Sequence, residues 1–335
     1  MKKARQTNIA VLGDGGWGTT IAILLANKGY TVRLWSAFRD YAAILDKKRV
    51  NPKFLPGIRI PRRIEIASDL KLALRNADYI VLAIPSQYLR GVLKNLKKIA
   101  LGKNAAYLSA AKGIEIGSLK RMSEVIHEEL GPVKLAVLSG PTIAHEVATG
   151  IPSTAVIASH SAPLRKRLQD IFTTDRFRIY TSDDVVGVEL GGSLKNVIAI
   201  ACGISDGLGF GSNTKAALLS RGLAEIARLG ACQGAKIKTF SGISGLGDLV
   251  TTCVSEYSRN RSVGEQIGRG TAYTQIRKRM QMVAEGVPTA RSAFELGIKN
   301  KVDMPITREV FRVLYKGKSP LNAVKDLMAR RKKEE

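Results

Sequence analysis

The chain has 335 residues, more than most single compact cores hold, and that length points to two domains. Hydrophobic residues make up 45% and charged residues 24%, near globular averages, which excludes a wholly disordered chain. Lysine and arginine number 53 against 28 acids, and the formal charge of +25 attracts polyanions, phosphorylated metabolites and anionic membranes without choosing among them.

The opening Met1-Lys2-Lys3-Ala4-Arg5 is basic, but too few apolar residues follow before the first glycines to form the core of a signal peptide. No apolar run approaches the roughly 20 residues that a membrane span requires. Asn8–Leu12 (NIAVL) reads as a strand ending in Gly13-Asp14-Gly15-Gly16-Trp17-Gly18. Thr19–Lys28 has helical composition and stops at Gly29, a natural helix end. Tyr30–Trp35 (YTVRLW) is a second strand, which completes a βαβ unit. Further strands are predicted over Tyr79–Ile84, Ala105–Leu108, Leu135–Leu138, Thr154–Ala158 and Phe177–Tyr180, with helices between several of them. This alternation argues an α/β fold with an N-terminal Rossmann-type, doubly wound parallel sheet.

Past residue 185 the texture changes. Val185–Ile204 is a long apolar segment, and helices are predicted near 215–230, 258–268, 272–282, 289–296, 305–315 and 320–330. No strand is read there, so the second half is expected to be an all-α domain. The expected division is a dinucleotide-binding domain over 1–190 and a helical, substrate-binding domain over 191–335. The charged tail Arg330–Glu335 is expected to fray. Cys202, Cys232 and Cys253 form no CxxC pair and leave an odd number, which fits a reducing compartment. His127, His145 and His160 are too scattered for a metal site. Together these readings predict a soluble, cytoplasmic chain without a metal.

Gly13-x-Gly15-x-x-Gly18 stands between strand and helix, where the dinucleotide fingerprint belongs. The first glycine permits the tight turn, the second lets the backbone approach a pyrophosphate, and the third allows close helix packing. An NAD-preferring site carries an acid at the end of the second strand, yet here the chain reads Leu34-Trp35-Ser36-Ala37-Phe38-Arg39 and the first acid is Asp40. The cofactor is therefore NADP or NAD, with NADP marginally favoured by Arg39. The plainer alternative leaves Arg39 on a solvated loop.

A further set of motifs follows in order: Pro85-Ser86, Ala111-Lys112-Gly113, Ser139-Gly140-Pro141-Thr142, Leu194-Lys195-Asn196, Gly247-Asp248 and Ser258-Arg259-Asn260. With Asn51-x-x-Phe54-Leu55-Pro56-Gly57, Gly140-Pro141-Thr142-x-Ala144-x-Glu146-Val147 and Val283-Ala284-Glu285-Gly286, they resemble the bacterial-type NAD(P)-dependent glycerol-3-phosphate dehydrogenases along nearly the whole chain. The resemblance implies reversible reduction of dihydroxyacetone phosphate to sn-glycerol 3-phosphate, whose product begins glycerophospholipid synthesis. It also implies an active site between the domains and a homodimer.

Reducing a ketone leaves charge on the carbonyl oxygen, so a proton donor must sit there. The resemblance gives that role to Lys195, with Lys112 and burial expected to lower its pKa and Asp248 to orient it. On the residues alone, Gly191–Ile204 is otherwise uncharged, and a lone lysine in an apolar helix is more often functional than one on a polar face. The plainer alternative is a lysine on a helix surface. Ser258-Arg259-Asn260, at a predicted helix start, offers a hydroxyl, a guanidinium, an amide and free N–H groups. The resemblance places the substrate phosphate there and lets Arg259 also touch the cofactor.

The resemblance further implies substrate contacts at Lys112, Gly140, Thr142 and Asn196. The implied cofactor contacts are Gly13, Gly15, Gly16, Trp17, Gly18, Lys112, Ala144, Val283 and Glu285. Thr142 replaces the more usual serine, and Ala37 stands where the family carries a basic residue, so Arg39 would serve only in a shifted loop. His145 is read as structural. A β-hydroxyacid or 6-phosphogluconate-type dehydrogenase shares the architecture and a helix lysine but does not predict Asn196, Asp248 and Ser258-Arg259-Asn260. The dispersed bases carry no RNA-binding aromatic stretch or zinc knuckle, which argues against specific nucleic-acid binding. Weak contact with an anionic membrane surface is compatible with the charge.

Overall fold

The computed structural model describes residues 7–99, 105–280, 282–332 and 334. The basic stretch Met1–Arg5 and residues 333 and 335 of the tail lie outside the described residues. The chain divides into two compact units, one of residues 1–112 with 122–188 and one of residues 113–121 with 189–335.

The first unit opens with β1 (Asn8–Leu12), α1 (Gly16–Asn27), β2 (Thr31–Trp35) and α2 (Arg39–Lys48), then a small hairpin of β3 (Val50–Asn51) and β4 (Leu55–Arg59). There follow β5 (Glu65–Ala67), α3 (Leu70–Leu74), β6 (Tyr79–Leu82), α4 (Ser86–Lys97), β7 (Ala106–Ser109) and α5 (Met122–Leu130). The unit ends with β8 (Lys134–Ser139), α6 (Ala144–Ala148), β9 (Ser153–Ala158), α7 (Ala162–Phe172) and β10 (Phe177–Ser182). Eight strands form one sheet in the order β10-β9-β8-β7-β6-β1-β2-β5, with Val11 beside both Leu34 and Val81.

The neighbours are parallel except at β8 and β9, where Val137 faces Ala158 in an antiparallel pair. The expected doubly wound, predominantly parallel sheet is thus present, and its one antiparallel pair falls at a connection that holds only the five-residue α6 rather than a full crossover helix. Alternation along β1 splits the core between the two faces of the sheet. Ile9 and Val11 pack with Leu25 of α1 and Leu168 and Phe172 of α7. Ala10 and Leu12 pack with Leu89 and Leu93 of α4 and Val125 of α5. Both faces are covered, as a doubly wound sheet requires.

The second unit takes up α8 (Val185–Gly207) and continues with α9 (Ser212–Cys232), α10 (Ile237–Phe240), a π-helical turn over Ile243–Gly247, and α11 (Asp248–Val254). Then come α12 (Arg259–Gly268), α13 (Tyr273–Arg279), α14 (Gly286–Lys299), α15 (Pro305–Lys316) and α16 (Pro320–Met328). The helix expected over 272–282 ends at Arg279, and residue 281 lies outside the described residues. One expectation is corrected by α8. Its 23 residues are long and apolar enough to cross a membrane by length and composition, yet 89% of its most apolar window is buried as a core helix.

α8 and α12 touch backbone to backbone. A Cβ added at Gly203 would lie 2.0 Å from the Arg261 carbonyl oxygen, and one at Gly264 would lie 2.1 Å from that of Ile200. Gly207 and Gly268, one turn further along each helix, repeat the contact. Only glycine allows this approach, and it brings the start of α12 beside Asn196 on α8.

Candidate active site

In the first unit the glycine loop is tightly held on two sides and open on the third. Gly13 has φ +116, and a Cβ there would lie 2.4 Å from the Ala83 carbonyl oxygen. A Cβ at Gly18 would lie 1.9 Å from the Gly13 oxygen, and one at Gly16 would lie 2.5 Å from the Phe54 oxygen. At Gly15 an added Cβ would meet nothing within 4 Å. The helix starts earlier than its composition suggests, at Gly16, and Gly15 provides no side-chain cap for the first N–H groups. Trp17 packs edge-on against Phe177, with its indole N–H buried and unpartnered. Open space at Gly15, uncapped N–H donors and an orphaned indole N–H fit a dinucleotide pyrophosphate and its surroundings.

The loop is clamped by Asn51, which is fully buried. Its amide donates to the Asp14 carbonyl (2.7 Å) and to Thr19 Oγ1 (2.8 Å). Its carbonyl oxygen accepts from the Tyr41 hydroxyl (2.7 Å) and the Phe54 N–H (3.0 Å). At the end of β2, buried Ser36 donates to the Asp14 carboxylate at 2.5 Å, and burial pushes the Asp14 carboxyl above its usual range. A carboxylate therefore does stand at that strand end, supplied by the glycine loop rather than by β2. Arg39 is exposed at the first position of α2. Elsewhere in this unit the Lys112 ammonium donates to the Gly140 carbonyl (2.9 Å), and Thr142 Oγ1 lies 3.4 Å from it. Ala144 opens α6, and its carbonyl accepts from Thr20 Oγ1 at 3.0 Å.

In the second unit Lys195 is 5% exposed and Asp248 only 1%. The Lys195 ammonium donates to an Asp248 carboxylate oxygen and to Thr252 Oγ1 (2.6 Å), while the Thr252 hydroxyl donates to the Asp248 carbonyl (2.7 Å). One helical turn separates Asp248 from Thr252, so both reach the lysine from one face of α11. Asn260 joins three segments. Its amide N–H donates to Asn196 Oδ1 and its Oδ1 accepts from the Gly286 N–H, each at 2.9 Å. Ser258 caps α12 by accepting from the Arg261 N–H, and Arg259 donates to the Val283 carbonyl at 2.9 Å. Glu285 sits at the N-cap of α14.

Two family models cover most of the chain. The model for the N-terminus of NAD-dependent glycerol-3-phosphate dehydrogenase matches residues 8–164, and the model for its C-terminus matches residues 184–325. The chain belongs to this dehydrogenase family. A glycerol-3-phosphate dehydrogenase (NAD(P)+) from Prosthecochloris aestuarii is 51% identical over 98% of this chain and 99% of its own length. The same-named protein of Citrifermentans bemidjiense is 49% identical over 98% of both chains. The crystal structure of a glycerol-3-phosphate dehydrogenase from Coxiella burnetii superposes with a TM-score of 0.94 at 39% identity, covering 97% of this chain and 99% of that one.

Within this family member the structure gathers Lys195, Asn196, Asp248, Ser258, Arg259, Asn260, Val283 and Glu285 in the helical unit. The glycine loop, Lys112, Gly140, Thr142 and Ala144 belong to the sheet unit. Sequence reasoning missed Thr252, although its spacing from Asp248 was a usable signal. It also missed the clamping role of Asn51, which depends on partners far along the chain. Cys202 and Cys253 are buried, Cys232 is exposed, and all three are free.

Proposed function

We propose that this chain catalyses the reversible reduction of dihydroxyacetone phosphate to sn-glycerol 3-phosphate with NADPH or NADH. In this reading residues 1–190 bind the dinucleotide and residues 191–335 the substrate. The observation that carries it is a lysine buried in an apolar helix and held by a carboxylate and a hydroxyl, Lys195 with Asp248 and Thr252. The dinucleotide, bound on Gly13, Gly15, Gly16, Trp17 and Gly18, supplies the hydride. Lys112, Ala144, Arg259, Val283, Glu285 and Arg39 complete its contacts. Lys195 gives a proton to the substrate oxygen in reduction and takes it back in oxidation, while Asp248 and Thr252 hold the ammonium in place. Ser258, Arg259 and Asn260 hold the substrate phosphate, and Lys112, Gly140, Thr142 and Asn196 fix the rest of the molecule.

The product feeds glycerophospholipid synthesis in the cytoplasm, a compartment that suits three free thiols. Near-ultraviolet absorbance of the reduced nicotinamide, followed with each cofactor in turn, tests the reaction. Oxidation is expected only when dihydroxyacetone phosphate is present, and oxidation driven instead by 3-oxo acids would overturn the assignment. Arg39 favours a 2′-phosphate while Asp14 opposes it. Arg39→Ala is expected to lower the NADPH-to-NADH preference roughly tenfold. An unchanged ratio removes Arg39 from the cofactor site. The +25 charge supports a weak encounter with anionic membranes, seen as cosedimentation with phosphatidylserine vesicles at low salt and its loss at high salt. No cosedimentation at low salt excludes it.

A further inference from the structure

Away from Lys195, the helical unit contains a groove of about 370 Å³ between α8, α9, α15 and α16. Its volume falls in the roughly 300–1,000 Å³ range of small-molecule sites. The walls are apolar, formed by Ile204, Leu218, Val310, Val313, Val324 and Leu327. On α8 the lining begins at Ala201, beyond the segment that carries Lys195 and Asn196.

Two features make this more than an apolar furrow. Ser205, 3% exposed, lines the groove with a hydroxyl that has no hydrogen-bond partner. A buried unpaired hydroxyl is costly in an apolar wall, and a polar group entering the groove would relieve it. Four arginines, Arg221, Arg228, Arg330 and Arg331, also border the space. Two carboxylates border it as well, but both are engaged within the fold. Glu225 accepts from the Ile306 and Thr307 N–H groups, at 2.5 and 3.1 Å. Glu309 pairs with Lys318 and with Arg312. Arg330 pairs with the Asp303 carboxylate at 2.5 Å and Arg228 donates to the Asp303 carbonyl at 2.9 Å, so these guanidinium groups are held in place at the rim. By charge, four guanidinium groups against two acids still leave the border cationic, in keeping with the charge of the whole chain.

We propose that this groove binds one amphipathic anion, an unbranched alkyl carboxylate. Its chain lies along the apolar walls and its head group among the arginines. The carboxylate, the ligand's one polar end, also accepts from the Ser205 hydroxyl. The apolar walls select the tail, and the cationic border selects the sign of the head group.

Isothermal titration with sodium octanoate, decanoate and dodecanoate, below their micelle concentrations, tests this on the full chain. One site per chain is expected, with affinity rising about fourfold for each added methylene. Decanol and decyltrimethylammonium are expected to bind at least ~10-fold more weakly than decanoate. Ala217→Trp fills the groove from α9 and is expected to abolish saturable binding without changing the melting temperature. Val324→Trp, which fills it from α16, serves if the first variant does not fold. Equal binding of cation and carboxylate, wild-type affinity in the filled variants, or an affinity independent of chain length would overturn the proposal. A groove closed by a second copy of the chain would show no binding at any chain length, which overturns it equally.

Discussion

Lys195→Ala is expected to lower kcat for dihydroxyacetone phosphate reduction by about 10²–10⁴-fold, the usual contribution of a positioned general acid. A loss of stability accompanies it, because Asp248, 1% exposed, then loses its cation partner. Breaking a buried ion pair by removing one partner costs about 3–5 kcal/mol. The two effects separate in a double variant. Lys195→Ala with Asp248→Asn removes the buried carboxylate charge together with the ammonium, so urea unfolding should recover much of the lost stability while turnover stays abolished. A single variant within tenfold of the wild-type kcat would place the proton donor elsewhere. Recovery of turnover in the double variant would reduce Lys195 to a structural partner of Asp248.

The βαβ start was legible because its signals are local: an apolar run, a glycine loop and a helical composition ending at Gly29. The predicted helix start at Thr19 was three residues late because Gly16, Trp17 and Gly18 carry little helix propensity, and the N-terminal turn forms on packing instead. The β3–β4 hairpin escaped notice because Pro56 and Gly57 make β4 look like a loop. The stretch from α10 through the π turn was hidden for a related reason. Gly245 serves contact rather than turning, since a Cβ there would lie 2.1 Å from the Phe240 oxygen, and the stretch packs on Gly191 of α8, where a Cβ would lie 2.6 Å from the Ser244 oxygen. Strand direction at β9 had no local signal. At the site, Lys195 was visible as a lone charge in an apolar helix, whereas the Asn196–Asn260–Gly286 connection depends on the crossing of α8 and α12 and has no counterpart in sequence spacing.

Glu225→Gln is expected to remove a pH dependence of stability that the wild-type chain carries. Glu225 projects from α9, is 1% exposed, and receives the Ile306 and Thr307 N–H groups at the start of α15 together with the Thr307 hydroxyl. Those donors and the Arg228 guanidinium favour the carboxylate, but burial outweighs them and pushes the carboxyl from 4.5 to about 7. A raised folded-state value means that the native chain holds a proton which the unfolded chain has already released. Stability from this group is therefore complete below the unfolded value and falls as pH rises toward the folded one. The span of the shift corresponds to roughly 3 kcal/mol, all of it lost once pH has passed about 7. Glutamine mimics the protonated acid at every pH. Urea unfolding across the window should thus show wild-type stability falling relative to the variant by about that amount. The difference isolates Glu225 from the many other groups of a strongly basic chain. A flat difference would mean that the helix N-terminus and Arg228 keep the carboxylate charged throughout, so that the donors at α15 outweigh burial.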